Sequence, residues 1–160
     1  ITCRDWSSDV CSSDLGIIAH NREDAEDFFF NKVKFAYDRL PEDVRAKVIA
    51  VSDSARMLRF SNGSSIKVGT SMRSGTLNLL HVSEFGKICA KYPDKAREIV
   101  SGAFNTVQAG QLIFVESTAE GQGGTFYEYC KAAEAKQQLG TPLTPLDFKF
   151  FFYPWWKHPD

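Results

Sequence analysis

TLNLLHVSEFG, Thr76 to Gly86, is the stretch on which the reading of this chain turns. Leu77 to Val82 is short and mostly apolar, and reads as a buried strand. It stops at two polar residues, Ser83 and Glu84, before Phe85-Gly86. A carboxylate just past a buried strand can act as a catalytic base. It can equally be the polar end of an ordinary turn, and on these residues alone the turn is the better reading. The segments on either side decide between the two.

Upstream, GIIAH (Gly16 to His20) is a second short apolar run and reads as a strand. Asn21 can cap the helix that follows, with Glu23 and Asp24 acidic in its first turn. From Arg22 to Leu40 the residues Ala25, Phe28, Phe29, Val33, Ala36, Tyr37 and Leu40 recur at helical spacing, and Pro41 ends the run. The FFF at Phe28 to Phe30 reads as core packing. Met57 to Phe60 and Ser65 to Val68 flank Asn62-Gly63, whose residue types suit the positive φ angles of a tight hairpin turn.

Downstream of Glu84, Pro93 opens a helix through Ala96, Ile99, Val100 and Phe104. QLIFVES (Gln111 to Ser117) reads as a strand, TAEGQGG as a loop, and the residues from Gly124 onward as a helix. FKFFFY (Phe148 to Tyr153) reads as a last strand. Strands alternating with helices predict an α/β fold, a mostly parallel sheet flanked by helices. Ligands of such sheets bind at the carboxyl ends of the strands. The loops after His20, Val82 and Ser117 all lie at such ends.

The 160 residues, 43% hydrophobic and 24% charged, suffice for one domain with a core. No run approaches the ~18 apolar residues of a membrane span, so no membrane partner is expected. DWSSDVCSSDL, Asp5 to Leu15, resembles the in-frame translation of a common sequencing adapter, codon by codon. Such scars are set aside before fold is argued. The expected divisions are 1–15 as a non-native segment, 16–153 as a domain, and 154–160 as the start of a linker. Without Arg4, Asp5, Asp9 and Asp14, the totals of 19 basic and 20 acidic residues become 18 and 17, and the net charge moves from −1 to +1. That balance argues neither for nor against nucleic acid. Cys89 and Cys130 have no His or Cys at metal spacing nearby, and read as buried free thiols of a reducing compartment.

Three constellations fall where a ligand would bind. A hydroxyl at Ser83 can meet Mg²⁺ directly or through water, and Glu84 can orient or deprotonate an attacking water. A neutral serine holds hydrated Mg²⁺ less firmly than an aspartate does. Ser117 and Thr118 end a strand beside a glycine-rich turn. Their hydroxyls can bond a phosphate, the Glu84 carboxylate or a moving loop, or can merely cap the turn. Arg73, in the loop TSMRSGT, carries a fork of donors suited to a transferring phosphate; its plain reading is a solvated loop arginine. Other features are weaker. His81 reads as a satisfied core histidine, and His20 as the end of a strand near the ligand edge. Ser54, Arg56, Arg59 and Lys67 could touch DNA phosphate, though a solvated hairpin face explains them as well. Trp155 and Trp156 could stack on bases or pack at a domain junction.

Taken in order, GIIAHNREDAE, SNGSSIKVGTSMRSGTLNLLHVSEFG, FVESTAEGQGGTFYEYC and FFYPWW resemble the ATPase domain of the tailed-phage terminase large subunits. The resemblance covers nearly all of Gly16 to Asp160. It implies an additional-strand P-loop NTPase core. HVSE then falls on the Walker B strand, with Glu84 as catalytic glutamate and Ser83 in place of the usual magnesium-site aspartate. Ser117 and Thr118 match the coupling motif, and Arg73 lies in the loop where the family often carries an arginine that serves a neighbouring subunit. ATP and Mg²⁺ are the implied cofactors. Double-stranded DNA, a portal protein, the small terminase subunit and a homo-oligomeric ring are the implied partners, in the host-cell cytoplasm during phage assembly.

Two departures stand out. No G-x-x-x-x-G-K-[ST] occurs in the chain, so the Walker A part of the fold is missing. Arg-Ser-Gly replaces the usual Arg-Gly before Walker B. The chain is therefore expected to be an N-terminally truncated piece, inactive alone, of a motor that continues into a nuclease domain. A helicase-like translocase and a non-catalytic α/β binding module are the alternatives.

Overall fold

Six short segments of β-forming sequence assemble into one sheet, in a computed structural model that describes residues 12–73 and 75–157. Strand β1 (Asp14–Ile18) lies between β4 (Ser65–Gly69) and β5 (Leu77–Val82), parallel to both. Strand β6 (Val107–Val115) extends the sheet in parallel beyond β5. On the other flank β2 (Ala50–Ser54), β3 (Met57–Phe60) and β4 run antiparallel. The order is β2-β3-β4-β1-β5-β6, with three of the five pairings parallel. The fold is thus α/β, a mostly parallel sheet with helices on both faces.

Alternation along the strands divides the core in two. Ile18 joins Leu80, Val82, Phe85, Ile88 and Ile99 on one face. That face is covered by α4 (Phe85–Lys91), α5 (Pro93–Glu98) and α6 (Thr125–Gln138). Ile17 joins Ala25, Phe29, Leu58 and Val68 on the other. There the cover is α1 (Arg22–Phe28), continued by a π-helical turn (Phe29–Lys34) into α2 (Phe35–Asp38), with α3 (Glu42–Arg45) following. The Asn21 side chain accepts the Asp24 N–H at 2.8 Å, so the expected cap forms.

Several expectations need correction. The strand predicted from Gly16 begins at Asp14, so a boundary between residues 15 and 16 falls inside it. Asp14 is tied in: its N–H donates to Asn78 Oδ1 at 2.9 Å, and its carboxylate accepts Ser65 Oγ–H at 2.6 Å. Residues 1–11 of the supposed foreign segment lie outside the described residues, as do Ser74 and 158–160.

Of the three phenylalanines, Phe29 is buried, Phe28 is half-buried and Phe30 is exposed, because one helical stripe faces the sheet. Asn62-Gly63 does turn the β3–β4 hairpin, but only Gly63 has positive φ, at 81°. Asn62 instead accepts the Ser64 N–H with its side chain.

The strand predicted at Phe148 to Tyr153 does not form. Phe148 packs on the rings of Phe104 and Tyr129, and the Phe150 N–H is taken by the Gln137 side chain, so this backbone has no ladder partner. Strand β2 and helix α4 were not foreseen. Among the described residues, no helix is long and apolar enough to cross a membrane.

Candidate functional site

Three parallel neighbours, β1, β5 and β6, end together at one edge of the sheet. Backbone bonds lock their ends: Ser83 N–H donates to the Ile18 carbonyl at 2.9 Å, and Glu116 N–H to the Val82 carbonyl at 3.1 Å. The chain then turns sharply at Glu84, which has φ 55° and ψ 39°. It is the single non-glycine residue with positive φ among those described. A left-handed residue with a Cβ costs on the order of 1 kcal/mol, and such strain concentrates at working sites.

Glu84 sits at the N-cap of α4, yet its side chain makes no capping bond. The carboxylate points instead toward the end of β6, where Thr118 Oγ1 stands 3.4 Å from Oε2. Of the partners the sequence leaves open to the Thr118 hydroxyl, the Glu84 carboxylate is the one within reach. Ser117 is placed differently from Thr118. Its hydroxyl is buried against Gly86 and has no hydrogen-bond partner, so it faces the protein interior and away from any ligand edge.

Ser83 and Glu84 form one wall of a cleft of about 320 Å³, whose other walls include His20, Asp24, Asp27 and Lys32. His20 Nδ1 meets the Asp24 carboxylate one helical turn away, and its Nε2 lies 2.8 Å from the Asn21 side-chain amide. Its walls carry three carboxylates, Asp24, Asp27 and Glu84, against Lys32, so an anion would enter it only with a cation bound beside it.

Arg73 is not brought to this edge. Its guanidinium grips Glu98 with two contacts, Nε to Oε1 and Nη2 to Oε2, each 2.6 Å. That pairing raises the arginine's pKa and lowers the glutamate's. Arg73 lines a separate recess with Asp94, Arg97 and Ser101. The fork of donors that made it a candidate for a phosphate is engaged by a carboxylate of its own chain.

Two residues at the edge gave no signal in the sequence. Lys95, on α5, donates Nζ–H to the carbonyl of His20 at 2.7 Å and, more weakly, to that of Ala19 at 3.4 Å. Burial pushes its pKa down, and the nearby Glu98 opposes that shift. Glu116 lies next to Ser83 on the neighbouring strand. Contact with His81 holds its carboxyl below the usual range, against the effect of burial, and the Ser83 side chain and Glu84 amide reinforce it. His81, read as a core histidine, is half-buried: Nε2 is 3.4 Å from Glu116 Oε1, and the ring stands edge-on to Phe28.

The remaining candidates lie elsewhere. Arg59 and Lys67 are exposed on the outer face of the hairpin, and Arg56 leans toward Glu26. Trp156 stands edge-on to Phe152, while the Trp155 side chain lies outside the described ones. Cys89 is buried as expected, and Cys130 only partly so; both are free thiols whose pKa burial raises.

No family model matches the chain, and no curated protein does. A solved structure does. The crystal structure of the HK97 bacteriophage large terminase superposes with a TM-score of 0.57 at 16% identity, over 86% of this chain. The match spans 28% of the phage protein's length. At that identity the likeness shows a shared fold: the sheet and its flanking helices are built as in that terminase.

Proposed function

We propose that this chain is part of a DNA-packaging motor ATPase of the terminase kind, and that its strand edge is the water-activating side of the nucleotide site. The observation that carries the reading is the geometry of Glu84. A strained, left-handed residue at the end of a central parallel strand holds its carboxylate free of its own helix and beside Thr118. The shared fold supports the reading from outside the site.

The residues present fit part of a Mg-nucleotide site. Bound Mg-ATP supplies the phosphoanhydride that is cleaved. Glu84 takes the proton of the attacking water, and Thr118 orients the Glu84 carboxylate. Ser83 offers an oxygen to hydrated Mg²⁺. Among the described residues no group of three His, Cys, Asp or Glu side chains is placed to hold a metal alone. Mg²⁺ commonly keeps its waters and takes substrate phosphates as ligands, so a lone hydroxyl is compatible with it. The 160 residues contain no glycine-rich phosphate loop, and this chain alone is expected to show no turnover.

Double-stranded DNA, a portal protein, a small terminase subunit and a ring of like subunits are the proposed partners. Assembly in the host cytoplasm is the proposed setting. In a ring, Arg73 would have to leave Glu98 to reach a neighbouring subunit's phosphate.

The test is ATP hydrolysis by a protein in which this chain is joined to a glycine-rich phosphate loop, with and without a change at Glu84. Glu84→Gln is expected to lower turnover by about 10²–10⁴. Turnover unchanged by that substitution would favour a non-catalytic module and sink this reading.

A further inference from the structure

Three neighbouring side chains close a hydrogen-bonded ring at the end of β1, in the wall of the cleft that Glu84 also lines. The Asp24 backbone N–H donates to Asn21 Oδ1 at 2.8 Å. That bond fixes which way the Asn21 amide faces, because the reverse orientation would set two donors against each other. Asn21 Nδ2–H is therefore the group that meets His20 Nε2, 2.8 Å away. Nε2 must accept this bond, so it carries no proton. The other ring nitrogen, Nδ1, meets the Asp24 carboxylate, which can only accept. Nδ1 must donate, so the proton sits there. One placement satisfies all three contacts: a neutral imidazole protonated at Nδ1.

His20 is held through its main chain as well. Its carbonyl accepts Lys95 Nζ–H at 2.7 Å, and the Ala19 N–H before it donates to the Gly69 carbonyl at 2.9 Å. The side chain is 11% exposed, which leaves the ring little room to turn toward another partner.

We infer that His20 is a positioning residue of the cleft: kept as the Nδ1–H tautomer between Asn21 and Asp24, it fixes the Asp24 carboxylate in the cleft wall and is itself withdrawn from proton transfer. Both ring nitrogens are engaged by groups of the same chain, so neither is left to take a proton from water or to hold a metal. One of the three cleft carboxylates is answered in the same way, since Asp24 Oδ2 receives the Nδ1–H. This role deepens the hydrolytic reading above and takes its functional meaning from it. Of His20 and Glu84, it leaves the attacking water to Glu84. The tautomer itself can be measured whether or not the chain belongs to an ATPase.

The experiment is a long-range proton–nitrogen NMR correlation of the histidine rings, recorded near neutral pH on the 160-residue chain. His20→Gln identifies the His20 ring by difference. The expected pattern is a protonated Nδ1 and an unprotonated Nε2, the reverse of the form that predominates for neutral histidine in water. Asp24→Asn keeps a side-chain oxygen for Nδ1–H and should keep the pattern. Asp24→Ala removes that acceptor and should lose the pattern, the proton returning to Nε2. The cap on α1 uses the main-chain N–H of residue 24, which both variants retain. A histidine that merely filled space would not distinguish asparagine from alanine.

A parent ring protonated at Nε2, alone or together with Nδ1, overturns the inference. So does an unchanged pattern in a folded Asp24→Ala. Should that variant lose the amide signals of α1, the parent and Asp24→Asn patterns decide. In the protein joined to a phosphate loop, His20→Gln should leave the shape of the pH–rate profile unchanged. Disappearance of its acid limb would make His20 the base and overturn the withdrawal from proton transfer. Turnover that survives Glu84→Gln defeats the hydrolytic reading instead, and leaves the ring pattern as measured.

Discussion

A Cβ placed on Gly86 would stand 2.8 Å from Ser117 Oγ and 3.2 Å from the Phe126 ring. The first turn of α4 is therefore packed directly on the end of β6, and only glycine permits the approach. Gly86→Ala should destabilise the chain by about 1–3 kcal/mol, the usual range for overpacking. Ser117→Ala should be neutral or mildly stabilising, because its buried hydroxyl has no partner to lose. Adding Ser117→Gly to Gly86→Ala should recover part of the loss. Urea-denaturation midpoints check all three, and a harmless Gly86→Ala would show that the two elements are not held this close.

Glu84 should trade stability for its role. At φ 55° a glycine relieves the strain that a Cβ creates. Glu84→Gly is expected to raise stability by about 1 kcal/mol at most, while removing the carboxylate proposed to activate water. Glu84→Val, with a branched Cβ at the same φ, should lower stability. Thermal unfolding distinguishes the pair. Equal melting temperatures for the two variants would mean that residue 84 is not left-handed in solution.

How much of this was legible in the sequence depended on the range of the interaction. The strand ends at Val82 and near Ser117 could be read because each is a short apolar run cut off by polar residues. The alternation of elements implies parallel strands but not which are neighbours; it is the adjacency of β5 and β6 that brings Thr118 to Glu84. The Arg73–Glu98 pair has no sequence signature, because Glu98 lies 25 residues away on a helix and no local pattern links the two. Lys95 was invisible for the same reason: its targets are backbone carbonyls of β1. Glu116 gives no signal because its neighbours across the sheet depend on strand register, which periodicity does not give. Strand β2 was missed because AVSDS is an exposed edge with no apolar alternation. The aromatic run at 148–153 misled because β-propensity needs a ladder partner to become a strand.

Asp147 gives an acid-side test of the segment after α6. Lys136 Nζ pairs with one carboxylate oxygen, and the Thr144 N–H and hydroxyl donate to the other at 2.9 and 2.8 Å. These contacts, Lys136 first, lower its pKa from 3.8 to about 2. A lowered carboxylate pKa adds stability that is complete above 3.8 and disappears as pH falls through about 2. Asp147→Asn should therefore be less stable than the parent near neutral pH, with the gap narrowing across that window. A carbon-detected titration should place the Asp147 midpoint near 2 and move it toward 3.8 in Lys136→Met. A midpoint already at the ordinary value in the parent would remove the anchor.

Lys95 supplies the basic-side counterpart, with the opposite group and the same sign of slope. Its amine is half-buried against the carbonyls of Ala19 and His20, and burial lowers its pKa below 10.5 while Glu98 pulls upward. The unfolded chain therefore holds a proton on Lys95 at pH values where the folded chain has begun to release it. Stability then rises with pH between the lowered folded value and 10.5, since the unfolded state binds more protons in that interval. Below the folded value, both states are charged and the contribution is flat. Lys95→Met should abolish this rise. It should also weaken the end of β1, because the two carbonyls lose a cationic donor and His20 loses the bond that fixes its main chain beside the cleft. Denaturation of parent and variant between pH 8 and 11 provides the comparison. A difference between them that does not change with pH would mean that Lys95 titrates as freely folded as unfolded, and that it lies in solvent rather than under the strand edge.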